Sequence, residues 1–332
     1  MPTPWRVERQ NLTKLVDGLD GRLLLAIGVA SGAEARQLHH SLHELATHGE
    51  VPDYVGGVAV FVSGYLTAAS HGLPDLGYVL RSEIARQTDV IEQATWLAAL
   101  DTGGQALPIG VDIDTGYGGE PSAVLFTCRQ VHKQGAQYVQ LEDQAGISKS
   151  CGHMAGARGT GKQIVSSDEM VEARLRPAVA YAASQDDLLV MARTDALACE
   201  GFAAALARAQ RYAEAGARLI FVEAPESTEQ LEQIPRELAG TRTLAVANMI
   251  EGSPKTPYRS PEQLHRLGYG IGLYPIGSLL AGRAAQEHYY RRLGRGENAM
   301  PAAGDAPERG FDDFNRVIGR SQTEAWNRLF RG

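Results

Sequence analysis

Residues 188–224 read LLVMARTDALACEGFAAALARAQRYAEAGARLIFVEA, and this stretch decides the fold. Its two ends, LLVMARTD and RLIFVEA, are short apolar runs of the kind found in strands buried on both faces. The segment between them has helical spacing and ends at Gly216, a favourable helix stop. The order strand, helix, strand predicts two parallel strands, because parallel neighbours need a crossover connection.

The same alternation continues along the whole chain. Six further apolar runs of strand length begin at Leu23, Val55, Leu107, Tyr138, Thr243 and Gly270. Eight strands alternating with helices predict an α/β fold, a (β/α)8 TIM-type barrel. A doubly wound open sheet is the alternative, but the first strand–helix turn lacks the GxGxxG pattern of dinucleotide-binding folds.

The composition of the chain limits which binding partners and which cellular compartment are expected. The 332 residues contain 32 Lys+Arg and 39 Asp+Glu, a net charge of −7, so no basic surface for nucleic acid is expected. The sequence contains no apolar run of about 18 residues, the length that would predict a membrane span. The N-terminus lacks the apolar core of a secretion signal, and none of the three cysteines forms a CxxC pair. These features predict a cytoplasmic protein.

The chain is predicted to divide into three parts. Residues 1–292 form the barrel, residues 293–313 form a linker rich in Gly, Pro and Ala, and residues 314–332 form an amphipathic C-terminal helix. That helix has no obvious partner within its own barrel. It is therefore expected to make oligomer contacts.

Polar residues follow the predicted strands, where the active site of a barrel lies. The third strand ends in Asp112 and Asp114, the fourth in Glu142 and Asp143, the fifth in Arg193 and Asp195, and the sixth in Glu223. Clustered carboxylates repel one another unless a cation lies between them. Oxygen donors without His or Cys favour Mg²⁺ or Mn²⁺ over zinc. Other strand ends carry Ser63, Gly64, Asn248 and Tyr274.

A Gly-rich segment follows the fourth strand. Residues 156–162 satisfy GxxxxGK, but Gln163 replaces the Ser or Thr of a phosphate-binding loop and no strand leads into the glycines. A mobile gate over the barrel mouth is the favoured interpretation. Cys151 lies just before it, between Lys149 and His153, which favours a functional thiol over an inert buried one. Cys128 and Cys199 lie in or beside predicted helices and are expected to be structural.

Several motifs occur together in one order: GLPDLG from Gly72, VDIDTGYGG, QLEDQ, Cys151-Gly152-His153 after Lys149, ARTDA, VEA and NMIEGSPKTP. Over roughly residues 55–290 the chain resembles the isocitrate lyase/phosphoenolpyruvate mutase superfamily, in particular its short branch of 2-methylisocitrate and 2,3-dimethylmalate lyases. The resemblance implies a (β/α)8 barrel whose last helix is swapped between subunits, in a homo-oligomer (dimer or tetramer).

The resemblance also implies roles for individual residues. Asp112 matches the direct Mg²⁺ ligand, and Asp75, Asp114 and Glu142 match acids that hold the metal through water. Cys151 matches the acid that protonates the leaving carbanion, Arg193 an arginine near the scissile centre, and Lys149 and His153 are placed to tune the thiol. The substrate-binding set implied by the same motifs is Ser63, Gly64, Tyr65, Gly152, Glu223 and Asn248.

The implied activity is that of a Mg²⁺-dependent carbon–carbon lyase. It would cleave a 2-hydroxy di- or tricarboxylate by a retro-aldol step to pyruvate or glyoxylate and a second carboxylate. Ser150 stands where the lyases generally have a second cation, which weighs against a tricarboxylate. The alternatives are an oxaloacetate hydrolase or decarboxylase, a phosphoenolpyruvate-type mutase or phosphonopyruvate hydrolase, and a non-catalytic barrel. Cys151 weighs against the mutase, and the clustered acids weigh against the non-catalytic barrel.

Overall fold

The computed structural model describes residues 7–146, 153, 162–298 and 310–330. Within these residues eight parallel strands close into a barrel in chain order. They are β1 (Leu23–Gly28), β2 (Val55–Val62), β3 (Ile109–Asp112), β4 (Ala136–Glu142), β5 (Leu189–Thr194), β6 (Leu219–Val222), β7 (Leu244–Asn248) and β8 (Ile271–Tyr274). The predicted (β/α)8 barrel is confirmed, and the alternative prediction of a doubly wound open sheet is wrong.

Helices connect the strands and cover the barrel. They are α1 (Leu12–Asp17), α2 (Gly32–Thr47), α3 (Gly64–Ser70), α4 (Arg81–Thr102), α5 (Pro121–Lys133), α6 (Ser167–Glu169), α7 (Arg176–Ala182), α8 (Ala196–Glu200), α9 (Phe202–Glu214), α10 (Thr228–Glu237), α11 (Pro261–Leu267), α12 (Gly277–Gly294), α13 (Phe311–Val317) and α14 (Arg320–Phe330). A π-helical turn, Met170–Leu175, joins α6 to α7. Within the described residues no helix is long and apolar enough to cross a bilayer.

The core has two parts, as the two-sided burial of the strands requires. One apolar cluster fills the space between the strands and the helices, and the other fills the barrel interior. The ring of Tyr138 lies over Gly110 in that interior. A Cβ at Gly110 would come within 1.8 Å of the ring, so only glycine fits there. Tyr138 also stacks on Phe61, with ring centroids 6.0 Å apart.

Strand register brings site residues to one level at the barrel mouth. Asp112 on β3 pairs with Gln140 on β4, and Glu142 on β4 pairs with Arg193 on β5. Paired residues of parallel strands point their side chains to the same face of the sheet. The acids and the arginine therefore lie on neighbouring strands, facing the same opening.

The C-terminal segment differs from the single helix predicted. It forms two short helices, α13 and α14, because Gly319 adopts a left-handed φ of +87° between them. Val317 on α13 is buried, and its carbonyl oxygen accepts a hydrogen bond from Arg36 Nε on α2 at 2.7 Å. The expectation that this segment lacks a partner in its own barrel is therefore wrong. Residues 299–309 of the predicted linker lie outside the described residues.

The long helix α12 packs only loosely against the rest of the described chain. None of its 18 residues is buried within the described part of the chain. Its first turn is held by Ser278 Oγ, which donates to the carbonyl of Gly28 at 3.2 Å. The division into barrel, linker and terminal helix, and the swap between subunits, remain predictions.

Candidate active site

A cavity opens at the carboxyl ends of the strands. Six residues predicted from the sequence line it together: Ser63, Tyr65, Asp75, Asp112, Arg193 and Asn248. The remaining wall is apolar apart from Gln140, and it is formed by Phe61, Phe221, Ile250, Leu273, Pro275 and Ile276. The cavity is thus lined by both charged and hydrocarbon groups, and the Arg193 guanidinium carbon lies 5.3 Å from the centre of the Phe221 ring.

The acids gather around the end of β3. The backbone N–H of Asp114 donates to Asp112 Oδ1 at 3.0 Å, and Asp114 itself adopts a left-handed φ of +50°. Gly64, at the start of α3, lies against both carboxylates. A Cβ there would be 3.2 Å from Asp112 Oδ2 and 3.3 Å from Asp114 Oδ1. The end of β2 and the acids of β3 thus form one compact group of oxygens.

This group fits one kind of metal site. Among the described residues, no three His, Cys, Asp or Glu side chains form a ready set of direct ligands. A single direct carboxylate with other acids acting through water agrees with Mg²⁺, which keeps several of its waters. The oxygen-only donors also exclude a typical zinc site.

Arg193 is the buried cation of the site. Its Nε donates to Asp195 Oδ2 at 2.9 Å and its Nη2 to Asp195 Oδ1 at 3.0 Å. Glu142 Oε2 lies 3.4 Å from Nη1, and Glu223 Oε2 lies 3.3 Å from Nε. Burial alone would lower the pKa of Arg193, but these carboxylates raise it well above its usual value. The guanidinium therefore stays charged.

His153 joins the same set of charges. Its Nε2 lies 3.2 Å from Glu223 Oε1, and its Nδ1 lies 2.8 Å from Ser253 Oγ. Burial lowers the pKa of His153, outweighing the opposite effect of Glu223. The imidazole is therefore neutral near pH 7 and links Glu223 to the loop after β7. Lys149, Cys151 and Gly152 lie outside the described residues.

Lys162, the lysine of the GxxxxGK pattern, is already paired. Its ammonium forms an ion pair with Asp195, and its side chain is only 2% exposed. A phosphate-binding lysine must present its charge to the nucleotide. The observed pairing therefore argues against the nucleotide-loop alternative.

The other two cysteines differ in exposure. Cys128 lies inside α5, and burial raises the pKa of its thiol to about 12. Cys199 is exposed at α8, and its Sγ lies 3.6 Å from the carbonyl oxygen of Lys162. Neither lines the cavity.

Sequence reasoning missed one polar residue of the cavity, Gln140. Gln140 lines the cavity, is buried, and has an amide oxygen without a hydrogen-bond partner in the described structure. The only signal was a polar residue inside an apolar strand. Tyr274 ends β8 as predicted, but it does not line the cavity: its hydroxyl donates to the carbonyl of Arg259 at 3.2 Å.

The acids and the paired arginine lie at the carboxyl ends of the barrel strands, where the active sites of (β/α)8-barrel enzymes are found. A profile of the phosphoenolpyruvate phosphomutase family matches residues 42–287. The chain is 34% identical over 266 residues to a 2,3-dimethylmalate lyase of Eubacterium barkeri, covering 80% of this chain and 83% of that protein. It is 35% identical over 239 residues to a 2-methylisocitrate lyase of Aeropyrum pernix, covering 72% and 70%.

A solved structure of oxaloacetate acetylhydrolase with the inhibitor 3,3-difluorooxalacetate is also similar. Its TM-score is 0.78 at 27% identity, covering 97% of this chain and 96% of that one. The chain belongs to the phosphoenolpyruvate phosphomutase family, as its motifs predicted. It is an enzyme of the carbon–carbon lyase class.

Proposed function

We propose that the enzyme cleaves the C2–C3 bond of a 2-hydroxy di- or tricarboxylate, with Mg²⁺ as cofactor and Mn²⁺ as a possible substitute. The products are a 2-oxo acid, pyruvate or glyoxylate, and a second carboxylate. One observation carries this proposal. The cavity that holds Asp112 and Asp75 also holds the buried guanidinium of Arg193. A metal-chelating oxo acid and a separate anionic fragment would thus have partners in one space.

The metal end of the cavity is built from β2, β3 and β4. Asp112 would hold the cation directly, and Asp75, Asp114 and Glu142 would hold it through water. When bound, Mg²⁺ would polarise the substrate hydroxyl and lower its pKa. Ser63, Gly64 and Tyr65 are placed beside Asp112 to take the carboxylate of the oxo-acid half.

The other end of the cavity serves the leaving fragment. Arg193 stays charged and offers hydrogen bonds where negative charge develops on breaking the C2–C3 bond. Asn248, which lines the same space, and Glu223, which pairs with Arg193, orient this half. Cys151, with a free-thiol pKa of about 8.5, would deliver the proton to the carbanion. Lys149 and the neutral His153 would tune that thiol, and Gly152 would contact the substrate.

Oxaloacetate hydrolysis is the second candidate. The similarity to oxaloacetate acetylhydrolase favours it, and the same oxo-acid pocket would serve. Water rather than a hydroxyl of the substrate would then be activated. The two candidates release different products from different substrates.

A substrate screen tests the proposal. The purified enzyme is given 2-hydroxy di- and tricarboxylates and oxaloacetate with Mg²⁺, and pyruvate, glyoxylate and oxalate are measured. We expect pyruvate or glyoxylate from a hydroxy acid, complete loss in excess chelator, and recovery on adding Mg²⁺ or Mn²⁺. Asp112→Asn serves as the inactive control. If oxaloacetate is the only substrate that reacts and it yields oxalate, the result would favour the hydrolase. Full turnover in excess chelator would contradict the proposed dependence on a metal ion.

The cellular setting is part of the proposal. We infer a cytoplasmic homo-oligomer, a dimer or tetramer, that acts on a small carboxylate and binds neither nucleic acid nor a membrane. The net charge of −7 supports this, because a nucleic-acid surface needs clustered positive charge.

A further inference from the structure

We propose that Asp195 is a positioning residue for the lyase reaction: it fixes the plane of the Arg193 guanidinium, with Lys162 as its second counter-charge. The inference rests on the proposed function, because it assigns Arg193 to the leaving fragment. Asp195 does not itself line the cavity, but it hydrogen-bonds to Arg193, which does. Its effect would pass through Arg193.

The geometry of the pair supports orientation rather than simple charge balance. Asp195 accepts two hydrogen bonds from Arg193, at 2.9 Å to Nε and 3.0 Å to Nη2. Two parallel bonds to a planar fork set both its position and its plane. Glu142 and Glu223 lie further away, at 3.4 and 3.3 Å. The paired edge leaves Nη1 on the Glu142 side of the guanidinium.

Asp195 is itself fixed in place by a hydrogen bond from its backbone to a buried network. Its backbone N–H donates to Asp143 Oδ1 at 2.9 Å. The buried Asp143 also accepts hydrogen bonds from Thr194 Oγ1 at 2.7 Å and Tyr212 Oη at 2.9 Å. Arg208 on α9 adds an ion pair to the same carboxylate at 3.3 Å. The end of β5 is thus tied to α9 through a buried network, so the Asp195 carboxylate has a fixed place.

The need to balance the buried carboxylates around Arg193 explains why Lys162 is buried beside Asp195. Arg193 faces three carboxylates, and Lys162 supplies a second buried cation beside Asp195. Together Arg193 and Lys162 outweigh the effect of burial and lower the pKa of Asp195 to about 2. Without Asp195, Arg193 would be free to turn toward Glu142 or Glu223 and away from the substrate.

The rival interpretation is that this ion pair only stabilises the fold. Asp195→Asn would leave the Lys162 ammonium buried without its partner, which is destabilising in either case. Three variants separate the two interpretations: Asp195→Asn, Lys162→Met, and the double variant. In the double variant the unpaired buried charge is gone, but the bidentate support of Arg193 is still missing.

The experiment measures kcat, KM, thermal midpoint and ligand affinity for each variant. For Asp195→Asn we expect kcat to fall by about 10²-fold, the scale for a misplaced catalytic group, with a lowered thermal midpoint. The double variant should regain thermal stability but not kcat. Lys162→Met keeps the Arg193–Asp195 pair and should lose far less activity. Recovery of kcat together with stability in the double variant, or wild-type turnover by Asp195→Asn, would overturn the proposal.

Binding separates this inference from the proposed function. Calorimetry with Mg²⁺ compares oxalate, which mimics the oxo-acid half, with malate, which also reaches toward Arg193. We expect Asp195→Asn and the double variant to lose about tenfold in malate affinity, the scale of one charge-assisted hydrogen bond, while oxalate affinity is unchanged. If the wild type cleaves no hydroxy acid, the proposed function fails, and this comparison still decides the role of Asp195. Equal malate affinity in all variants would reject it.

Discussion

At the scale of single residues, Cys151 allows proton delivery to be separated from binding. Cys151→Ser should keep metal and substrate binding, because Asp112, Ser63 and Arg193 are unchanged. A serine hydroxyl is a far weaker acid than a thiol, so protonation of the carbanion becomes slow. Loss of general acid catalysis costs about 10²–10⁴-fold. We expect a fall in kcat of that order with little change in KM, measured by steady-state kinetics.

Cys128→Ser and Cys199→Ser are the matched controls for this prediction. The first removes a buried thiol from α5 and should alter stability more than turnover, and the second changes an exposed thiol. Both should stay active. Wild-type turnover by Cys151→Ser would show that the enzyme does not depend on a thiol, and would favour the hydrolase.

The sequence predicted Ser63, Asp112, Arg193 and Asn248 because they lie at the ends of apolar strands, whereas Tyr65 and Asp75 were named from the family resemblance. Asp112 and Arg193 follow buried runs, and the barrel topology then brings them to one mouth. Gln140 and Lys162 were missed for a different reason. Whether a strand residue points inward or a lysine turns toward Asp195 depends on register and side-chain packing between distant segments. Such long-range geometry leaves no local signal.

At the scale of elements, His39 makes the stability of α2 depend on pH. Its Nε2 lies 3.0 Å from the carbonyl oxygen of Gln105, and burial lowers its pKa below the ordinary 6.5. The neutral form is thus favoured in the folded state. This contribution is present above the unfolded pKa and is lost as pH falls below about 6.5. We expect His39→Gln, which cannot be protonated there, to lose less stability than the wild type between pH 7.5 and 5.5.

Urea unfolding of both proteins at pH 7.5, 6.5 and 5.5 measures this difference. The exposed His48, which directly follows α2, provides a surface control through His48→Gln. Parallel pH curves for wild type and His39→Gln would contradict the assignment to His39. The boundary between α13 and α14 could not be predicted from the sequence either. The break at Gly319 depends on a left-handed backbone packed against Arg36, which hydrophobic periodicity alone does not reveal.

At the scale of the whole molecule, strand count and order followed directly from the sequence pattern. The eight apolar runs correspond to β1–β8, and their alternation with helices predicts parallel strands. The structure shows that these strands close into the predicted barrel. The sequence pattern did not predict which elements pack against the apolar faces of the last helices. Within the segment 314–332, which was expected to lack a partner, α13 packs on α2, whereas none of the residues of α12 is buried in the described structure. A periodic pattern identifies an apolar face but not the element that meets it.

The exposed face of α12 gives the prediction about assembly. Tyr290 and Leu293 are 63% and 53% exposed on this helix, and helices of globular proteins are stabilised mainly by burying an apolar face. We expect a second copy of the chain to cover α12, as the swapped helix of the family resemblance implies. Tyr290→Ser combined with Leu293→Ser should then lower the mass measured by analytical ultracentrifugation. Phe126→Ser on α5, at a residue 59% exposed, is the matched control and should leave the mass unchanged, whereas Leu329→Ser tests α14, which the sequence predicts to make oligomer contacts. Dissociation by the Leu329 variant alone would instead assign the contact to the C-terminal segment, and a monomeric wild type would reject assembly through either helix.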